Sequence, residues 1–117
     1  MKYCLLIHDD EAMWGGMSDE DRSQLYKEYG EFSDDLVARG LMRGGDQLQP
    51  TSTATTVRVQ GGKTLTTDGP FAETKEQLGG FYIIECDNLD QAIEAASQIP
   101  STRVGGVIEV RPIADQG

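Results

Sequence analysis

Side chains that can exchange protons or hold a polar ligand are concentrated late in the chain, after a predicted hairpin. Asp68 is followed by a glycine, a proline and a phenylalanine, and Glu73 and Lys75 come shortly afterwards. Tyr82 then stands near the start of an apolar run. Because loops tolerate change unless they bind or catalyse, this concentration of charged and conformationally special residues predicts a functional segment.

The single histidine of the chain, His8, comes at the end of the first apolar stretch. Imidazole is the usual general acid or base near neutral pH, and a carboxylate partner orients it and stabilises its charged form. We therefore predict that His8 is the acid–base residue and that Asp68 orients it or acts as a second base. Glu73 and Lys75 would bind a polar or anionic group of the substrate, and Tyr82 would donate through its hydroxyl.

Each candidate also has a structural interpretation. A lone histidine at a strand end, such as His8, is often a packed or hydrogen-bonded structural residue. Asp68 before glycine and proline can accept backbone N–H bonds in a turn. The pattern over Thr74–Gln77 is that of a helix cap, which would make Lys75 part of the surface of a short helical turn. Trp14 either walls the cleft or packs its own loop.

Composition and charge narrow the function classes. Twenty acidic against ten basic side chains give a net charge of −10, which repels nucleic acid and anionic membranes. The start of the chain is too short for a secretory apolar segment, and no run approaches the roughly 20 apolar residues that span a bilayer. Two cysteines, Cys4 and Cys86, fit a reducing compartment in which thiols serve as small core residues. These features predict a cytoplasmic protein.

The sequence supports neither a cofactor nor a metal. No phosphate-cradling glycine loop precedes a helix, so we predict no nucleotide cofactor. Asp9, Asp10 and Glu11 follow His8, but adjacent strand residues point to opposite faces and cannot all reach one ion.

Two amphipathic stretches predict helices. Ser18 can cap a helix over Asp19–Arg39, whose apolar residues recur every three or four positions. A second helix begins after Asp87-Asn88 and is ended by Pro100. The glycine pair within residues 12–17 predicts that this segment is a loop.

Short apolar runs predict strands over 3–7 and 81–86, and β-branched residues in alternation predict a strand over 55–59. Further strands are predicted over 63–67 and 107–111. Gly61-Gly62 would form the turn of a hairpin between the strands over 55–59 and 63–67. A short strand over 41–43 would be broken by Gly44-Gly45.

The order of these elements predicts one α+β domain over residues 1–117 with a ferredoxin-like fold, βαββαβ with an extra β-hairpin and an antiparallel sheet. The helices would cover one sheet face. Because strands 3–7 and 81–86 are apolar on both faces, we expect a second copy to cover the other face in a homodimer. The first and third core strands are neighbours in this fold. His8, the following carboxylates and the Asp68 loop would then converge at one end of the sheet.

Four segments resemble the YCII-related family, in particular its DGPF branch: Lys2–Ile7, Gly44–Pro50, Asp68–Tyr82 and Ile108–Pro112. The resemblance implies a ferredoxin-like domain that dimerises as an α/β barrel. It also implies a cleft in which some relatives are proposed to use a His–Asp pair, and His8 and Asp68 best match that pair. A few relatives are linked to dehalogenating or lyase-type steps on aromatic substrates. Members of the branch are often associated with alternative sigma factors.

Together these observations predict a small homodimer with a cofactor-independent acid–base cleft that binds or converts a small organic molecule. The alternative is a non-catalytic module that senses a ligand or binds a regulatory protein such as a sigma factor, because an acidic surface suits a basic partner. A third interpretation makes the run after Asp68 a loop that only stabilises the fold and the dimer.

Overall fold

The computed structural model describes residues 1–115. Within them the strands are β1 (Lys2–Asp9), β2 (Met42–Gln47), β3 (Thr55–Gln60), β4 (Lys63–Asp68), β5 (Gln77–Glu85) and β6 (Val107–Pro112). The helices are α1 (Glu11–Gly16), α2 (Asp19–Ala38) and α3 (Leu89–Ser97), with 3-10 turns at Thr51–Thr53 and Pro100–Val104.

The main sheet has four antiparallel strands in the order β2-β5-β1-β6, and β3 and β4 pair separately as a hairpin. This is the ferredoxin-like strand order with a hairpin inserted before the third core strand, so the predicted fold class is confirmed. β1 lies in the middle of the sheet. Its last residues pair with the start of β5, where His8 faces Leu78 and Asp9 faces Gln77 across a register shift.

The hydrophobic core lies between one face of this sheet and helices α2 and α3. Leu5 of β1 and Leu36 of α2 are both fully buried, and each contributes roughly 1.5–3 kcal/mol to folding through the apolar surface it removes from water. Alternation along β1 puts Tyr3 and Ile7 on the same helix-covered face. Asp9 is in phase with these residues and is buried with them.

Both long helices begin as the sequence predicts. The Ser18 hydroxyl accepts a hydrogen bond from the backbone N–H of Asp21 at 3.1 Å, and the Asn88 side chain accepts one from Gln91 at 2.9 Å. Each bond satisfies a backbone donor that the first helical turn leaves without a partner. α2 ends at Ala38, and Gly40 follows with a positive φ of 73°.

The prediction of a loop over residues 12–17 was wrong, because most of that segment is α1. Asp10 caps this helix by accepting a hydrogen bond from the backbone N–H of Ala12 at 2.9 Å. The helix contains no buried residue, so it carries no apolar periodicity from which it could be recognised. The Gly15-Gly16 pair also lowers the helix propensity of the segment, since glycine is a poor helix former.

Two further details differ from the prediction. Gly44-Gly45 does not break β2, because the strand absorbs the irregularity as a register shift between Met42 and Gly44 and continues to Gln47. The segment Thr74–Gln77 forms no helical turn; it bends and leads into β5, which begins at Gln77 rather than at 81.

The face of the sheet that turns away from the helices is called the open face below. Its residues alternate with the buried ones: Cys4, Leu6 and His8 of β1, Phe81 and Ile83 of β5, and Glu109 of β6. Cys4 is on this face, whereas Cys86 belongs to the buried core, and both are free thiols. In the described part of the chain, no helix is long and apolar enough to cross a membrane.

Candidate functional site

A cavity of about 890 Å³ lies between helices α1 and α2 and the helix-covered face of the sheet. The aromatic residues Trp14 of α1, Tyr26 and Tyr29 of α2, and Tyr82 of β5 line it. Gly79 of β5 also lines it and leaves space, since an added Cβ there would meet nothing within 4 Å. The cavity thus combines mainly apolar walls with several hydroxyl groups.

Asp9 lies at this cavity, at the end of β1, and only 6% of the residue is exposed. One carboxylate oxygen, Oδ2, accepts hydrogen bonds from Trp14 Nε1 at 3.1 Å and from Ser101 Oγ at 3.0 Å. The other, Oδ1, is buried and has no hydrogen-bond partner among the described residues.

Gly106 makes room for this carboxylate. A Cβ at that position would lie 2.3 Å from Asp9 Oδ1 and 2.8 Å from the Cβ of Ser101. Any side chain at residue 106 would therefore displace the two groups that form the site.

Tyr29, Ser101 and Asp9 form a chain of hydrogen bonds from the cavity into the core. The Ser101 hydroxyl gives its proton to Asp9, so in its short hydrogen bond with Tyr29 it must accept. Tyr29 therefore donates inward. Burial raises the pKa of Tyr29 to about 12, the hydrogen bond with Ser101 opposes this rise, and the Asp9 carboxylate adds to it. The Tyr29 hydroxyl consequently stays protonated at neutral pH.

Polar contacts hold α1 against the cavity, because this helix buries no residue of its own. The Glu11 carboxylate accepts from the backbone N–H of Thr51 at 2.8 Å and from its hydroxyl at 2.9 Å. The backbone N–H of Glu11 donates to Gln77 Oε1 at 3.2 Å. Arg22 of α2 donates from Nη2 to the carbonyl of Trp14 at 3.0 Å.

The sequence-predicted residue that the structure places at the cavity is Tyr82. Its hydroxyl shares a hydrogen bond of 3.0 Å with the hydroxyl of Ser33, and its ring packs edge-on against Phe32 with centroids 5.2 Å apart. Burial raises the pKa of Tyr82, and the hydrogen bond shared with Ser33 opposes this rise. The hydroxyl is therefore protonated at neutral pH and available as a donor.

The predicted pair of His8 and Asp68 is not brought together in this chain. His8 lies on the open face, where its Nε2 is 3.9 Å from Glu109 Oε1. Asp68 is exposed at the end of β4, opposite Thr55 in the separate hairpin. No hydrogen bond or ion pair joins the two within residues 1–115.

Glu73 and Lys75 are exposed in the segment that connects β4 to β5, and neither lines the cavity. Sequence reasoning missed Asp9, Ser101 and Tyr29 as a group. One signal was present for Asp9, because it stands in phase with the buried apolar residues of β1 and so predicts a buried carboxylate.

The strand order and the cavity define a ferredoxin-like α+β protein with a partly open cavity of small-molecule size. Comparison with known proteins identifies its family: the YCII-related domain matches residues 1–116. A relative, the uncharacterised protein R00369 of Rhizobium meliloti (strain 1021), is 39% identical over an alignment 118 positions long, which covers 97% of this chain and 93% of that protein. The chain therefore belongs to the YCII-related family, as its sequence predicts.

Proposed function

We propose that this protein binds a small, largely apolar organic molecule in the cavity beneath α1 and withdraws a proton from it. The observation that carries the proposal is the cavity itself. Its volume of about 890 Å³ falls within the roughly 300–1,000 Å³ of small-molecule sites, which combine apolar walls with a few convergent polar groups.

The proton would travel along the chain of hydrogen bonds that leads from Tyr29 to Asp9. The ligand's bond to its acidic hydrogen breaks, and that proton passes to the oxygen of Tyr29. Tyr29 gives its own proton to Ser101, and Ser101 gives its proton to Asp9 Oδ2. The products are the conjugate base of the ligand and a neutral Asp9, so the step needs no cofactor. Proton abstraction of this kind begins isomerisations and eliminations.

The predicted roles of His8 and Asp68 stay predictions, and we propose that they belong to a site formed between two copies of the chain. We also propose that the protein is a homodimer in which a second copy covers the open face. Support comes from the half-buried apolar residues Leu6, Phe81 and Ile83, which adjoin one another on that face. A covered open face would enclose His8.

Membership of the DGPF branch and a cytoplasmic location are likewise proposals, supported by the run after Asp68 and by the sequence composition.

Light scattering coupled to size-exclusion chromatography tests the dimer. We expect the wild type at twice the chain mass and Leu6→Lys at the chain mass. Leu89→Lys is the matched control, because Leu89 is 49% exposed on α3, and it should remain dimeric. A wild-type monomer would overturn this part of the proposal.

Deuterium exchange tests the proton transfer. Phenylacetone, a benzyl ketone with acidic C–H groups beside its carbonyl, is incubated with the protein in D₂O, and loss of its proton signals is followed by NMR. Asp9→Asn should abolish protein-dependent exchange while leaving binding intact, whereas Asp34→Asn, an exposed exchange on α2, should change neither. Binding without any exchange in the wild type would instead favour a ligand-sensing module.

A further inference from the structure

We infer that the ligand of this cavity is a neutral carbonyl compound, whose oxygen accepts a hydrogen bond from the paired hydroxyls of Ser33 and Tyr82. The inference rests on the proposed function and names the chemical class of its ligand. Two independent observations lead to it. The charged groups at the cavity are already bonded or face elsewhere, and the hydroxyl pair holds one proton more than its own hydrogen bond uses.

The acidic residues that line the cavity offer no free carboxylate oxygen within residues 1–115. Both carboxylate oxygens of Glu11 are bonded to Thr51. One oxygen of Asp9 accepts two hydrogen bonds, and the other is buried. Asp46 pairs with Phe81 in the sheet, so its side chain belongs to the open face. A cationic ligand would therefore find no counter-charge in the cavity.

The basic residue among the described lining residues, Arg22, is also occupied. Its Nη1 contacts Asp19 at 3.2 Å, and its Nη2 donates to the backbone carbonyls of Trp14 and Met17 at 3.0 and 3.2 Å. An anionic ligand would have to displace these partners. Because an ion loses its hydration on entering an apolar space, and here gains no free counter-charge, the cavity favours a neutral molecule.

The hydroxyls of Ser33 and Tyr82 leave one proton for such a molecule. They share a hydrogen bond of 3.0 Å in which either oxygen can be the donor. Each hydroxyl carries one proton, so the shared bond uses one of the two, and the other has no acceptor among the described residues. Both side chains line the cavity. A ligand oxygen with lone pairs and no proton of its own is the matching partner, and a carbonyl oxygen has this character.

The position of the pair relative to Tyr29 connects it to the proposed proton transfer. Ser33 follows Tyr29 by four positions on α2, so the two lie side by side on one helix face, and both line the cavity. A carbonyl oxygen at the pair therefore brings the neighbouring carbon towards Tyr29.

This arrangement matches the electron flow of the proposed step. When the C–H bond beside the carbonyl breaks, the proton passes to Tyr29 and onward to Asp9, as described above. The electron pair of that bond moves to the carbonyl oxygen and forms an enolate. The free hydroxyl proton of the pair then stabilises the negative oxygen, as the donors of an oxyanion hole do.

Four probes that share a benzyl group test the ligand class. Phenylacetone is neutral and has a carbonyl, propylbenzene is neutral without one, and phenylacetate and 2-phenylethylamine are anionic and cationic at pH 7. Trp14 is the only tryptophan in the chain and lines the cavity, so its fluorescence reports binding. We expect phenylacetone to bind roughly tenfold or more tightly than either ion.

A double variant tests where the carbonyl oxygen binds. Ser33→Ala with Tyr82→Phe removes both hydroxyls but keeps the Tyr82 ring that packs against Phe32. It should weaken phenylacetone roughly three- to tenfold, leave propylbenzene unchanged, and slow the deuterium exchange of phenylacetone roughly a hundredfold. Ser23→Ala removes an exposed hydroxyl from the same helix away from the cavity and should change none of these values.

The outcomes separate the inference from the proposed function. If phenylacetate or 2-phenylethylamine binds as tightly as phenylacetone, or if the double variant binds phenylacetone like the wild type, the inference is wrong and the binding function stands. If the double variant weakens phenylacetone but the wild type exchanges none of its protons, the ligand class stands and the proton abstraction is wrong. If none of the four probes binds, both are wrong.

Discussion

Removing the Tyr29 hydroxyl should change how the stability of this protein depends on alkaline pH. Tyr29 is half-buried and bonded to Ser101, and its pKa in the folded protein is raised from 10.0 to about 12, mainly by burial. In the unfolded chain the phenol would ionise near pH 10. The variant Tyr29→Phe keeps the ring and deletes the ionisable group.

The direction of the effect follows from proton uptake. Below pH 10 both the folded and the unfolded state hold the proton, so the contribution of Tyr29 to stability is complete and independent of pH. Between pH 10 and about 12 only the unfolded state releases it, so unfolding becomes more favourable as pH rises. A tenfold change in proton affinity corresponds to 1.36 kcal/mol, which sets an upper value of roughly 2.7 kcal/mol. Partial exposure to solvent reduces this to about 1–2 kcal/mol.

Urea denaturation followed by Trp14 fluorescence measures the effect at intervals from pH 8 to pH 11.5. The wild type should lose more unfolding free energy over this range than Tyr29→Phe does. Tyr82 stays in both proteins, and its raised pKa contributes equally to both curves. Tyr26→Phe, which removes an exposed hydroxyl from the same helix, is the matched control. Equal slopes for the wild type and Tyr29→Phe would refute the proposed environment of Tyr29.

Three further substitutions, one of them a control, test the packing and the capping of the fold by urea denaturation. Gly106→Ala places a Cβ 2.3 Å from Asp9 Oδ1 and should cost about 1–3 kcal/mol through overpacking; Gly79→Ala meets nothing within 4 Å and should change stability by less than about 0.5 kcal/mol. Equal costs would mean that no close contact exists at residue 106. Ser18→Ala removes the acceptor for the backbone N–H of Asp21 and should cost about 1 kcal/mol, and an unchanged midpoint would show that this cap contributes nothing.

Local sequence patterns were sufficient to predict those helices and strands that are stabilised by residues close to one another in the sequence. The alternation in β3 and the glycine turn of the hairpin predicted strands that the structure contains. The caps at Ser18 and Asn88 predicted the starts of α2 and α3. In each case the physical cause, a two-residue period or a side chain that satisfies a backbone donor, acts over a few residues and is legible in sequence.

α1 could not be predicted in this way, because its stabilising contacts come from distant residues. The Glu11 carboxylate accepts from Thr51, 40 positions later, and the Glu11 backbone N–H donates to Gln77, 66 positions later. With no buried residue and a glycine pair at its end, the helix has neither periodicity nor propensity in its favour. Tertiary contacts determine its conformation.

The candidate site shows the same limit more sharply, since the decisive contact joins Asp9 to a serine 92 positions later. The sequence predicts His8 and the carboxylates that follow it at one site, but the positions of His8 and Asp9 along β1 put them on different faces of the sheet. Asp9 shares the helix-covered face with the core and reaches the cavity, whereas His8 belongs to the open face. Because successive strand residues point to opposite faces, these neighbours cannot serve one site within a single chain. A role for His8 would therefore belong to a site on the open face, and a role for Asp9 to the cavity on the helix-covered face. An obligate monomer that still exchanges ligand protons would accordingly assign the chemistry to Asp9 alone.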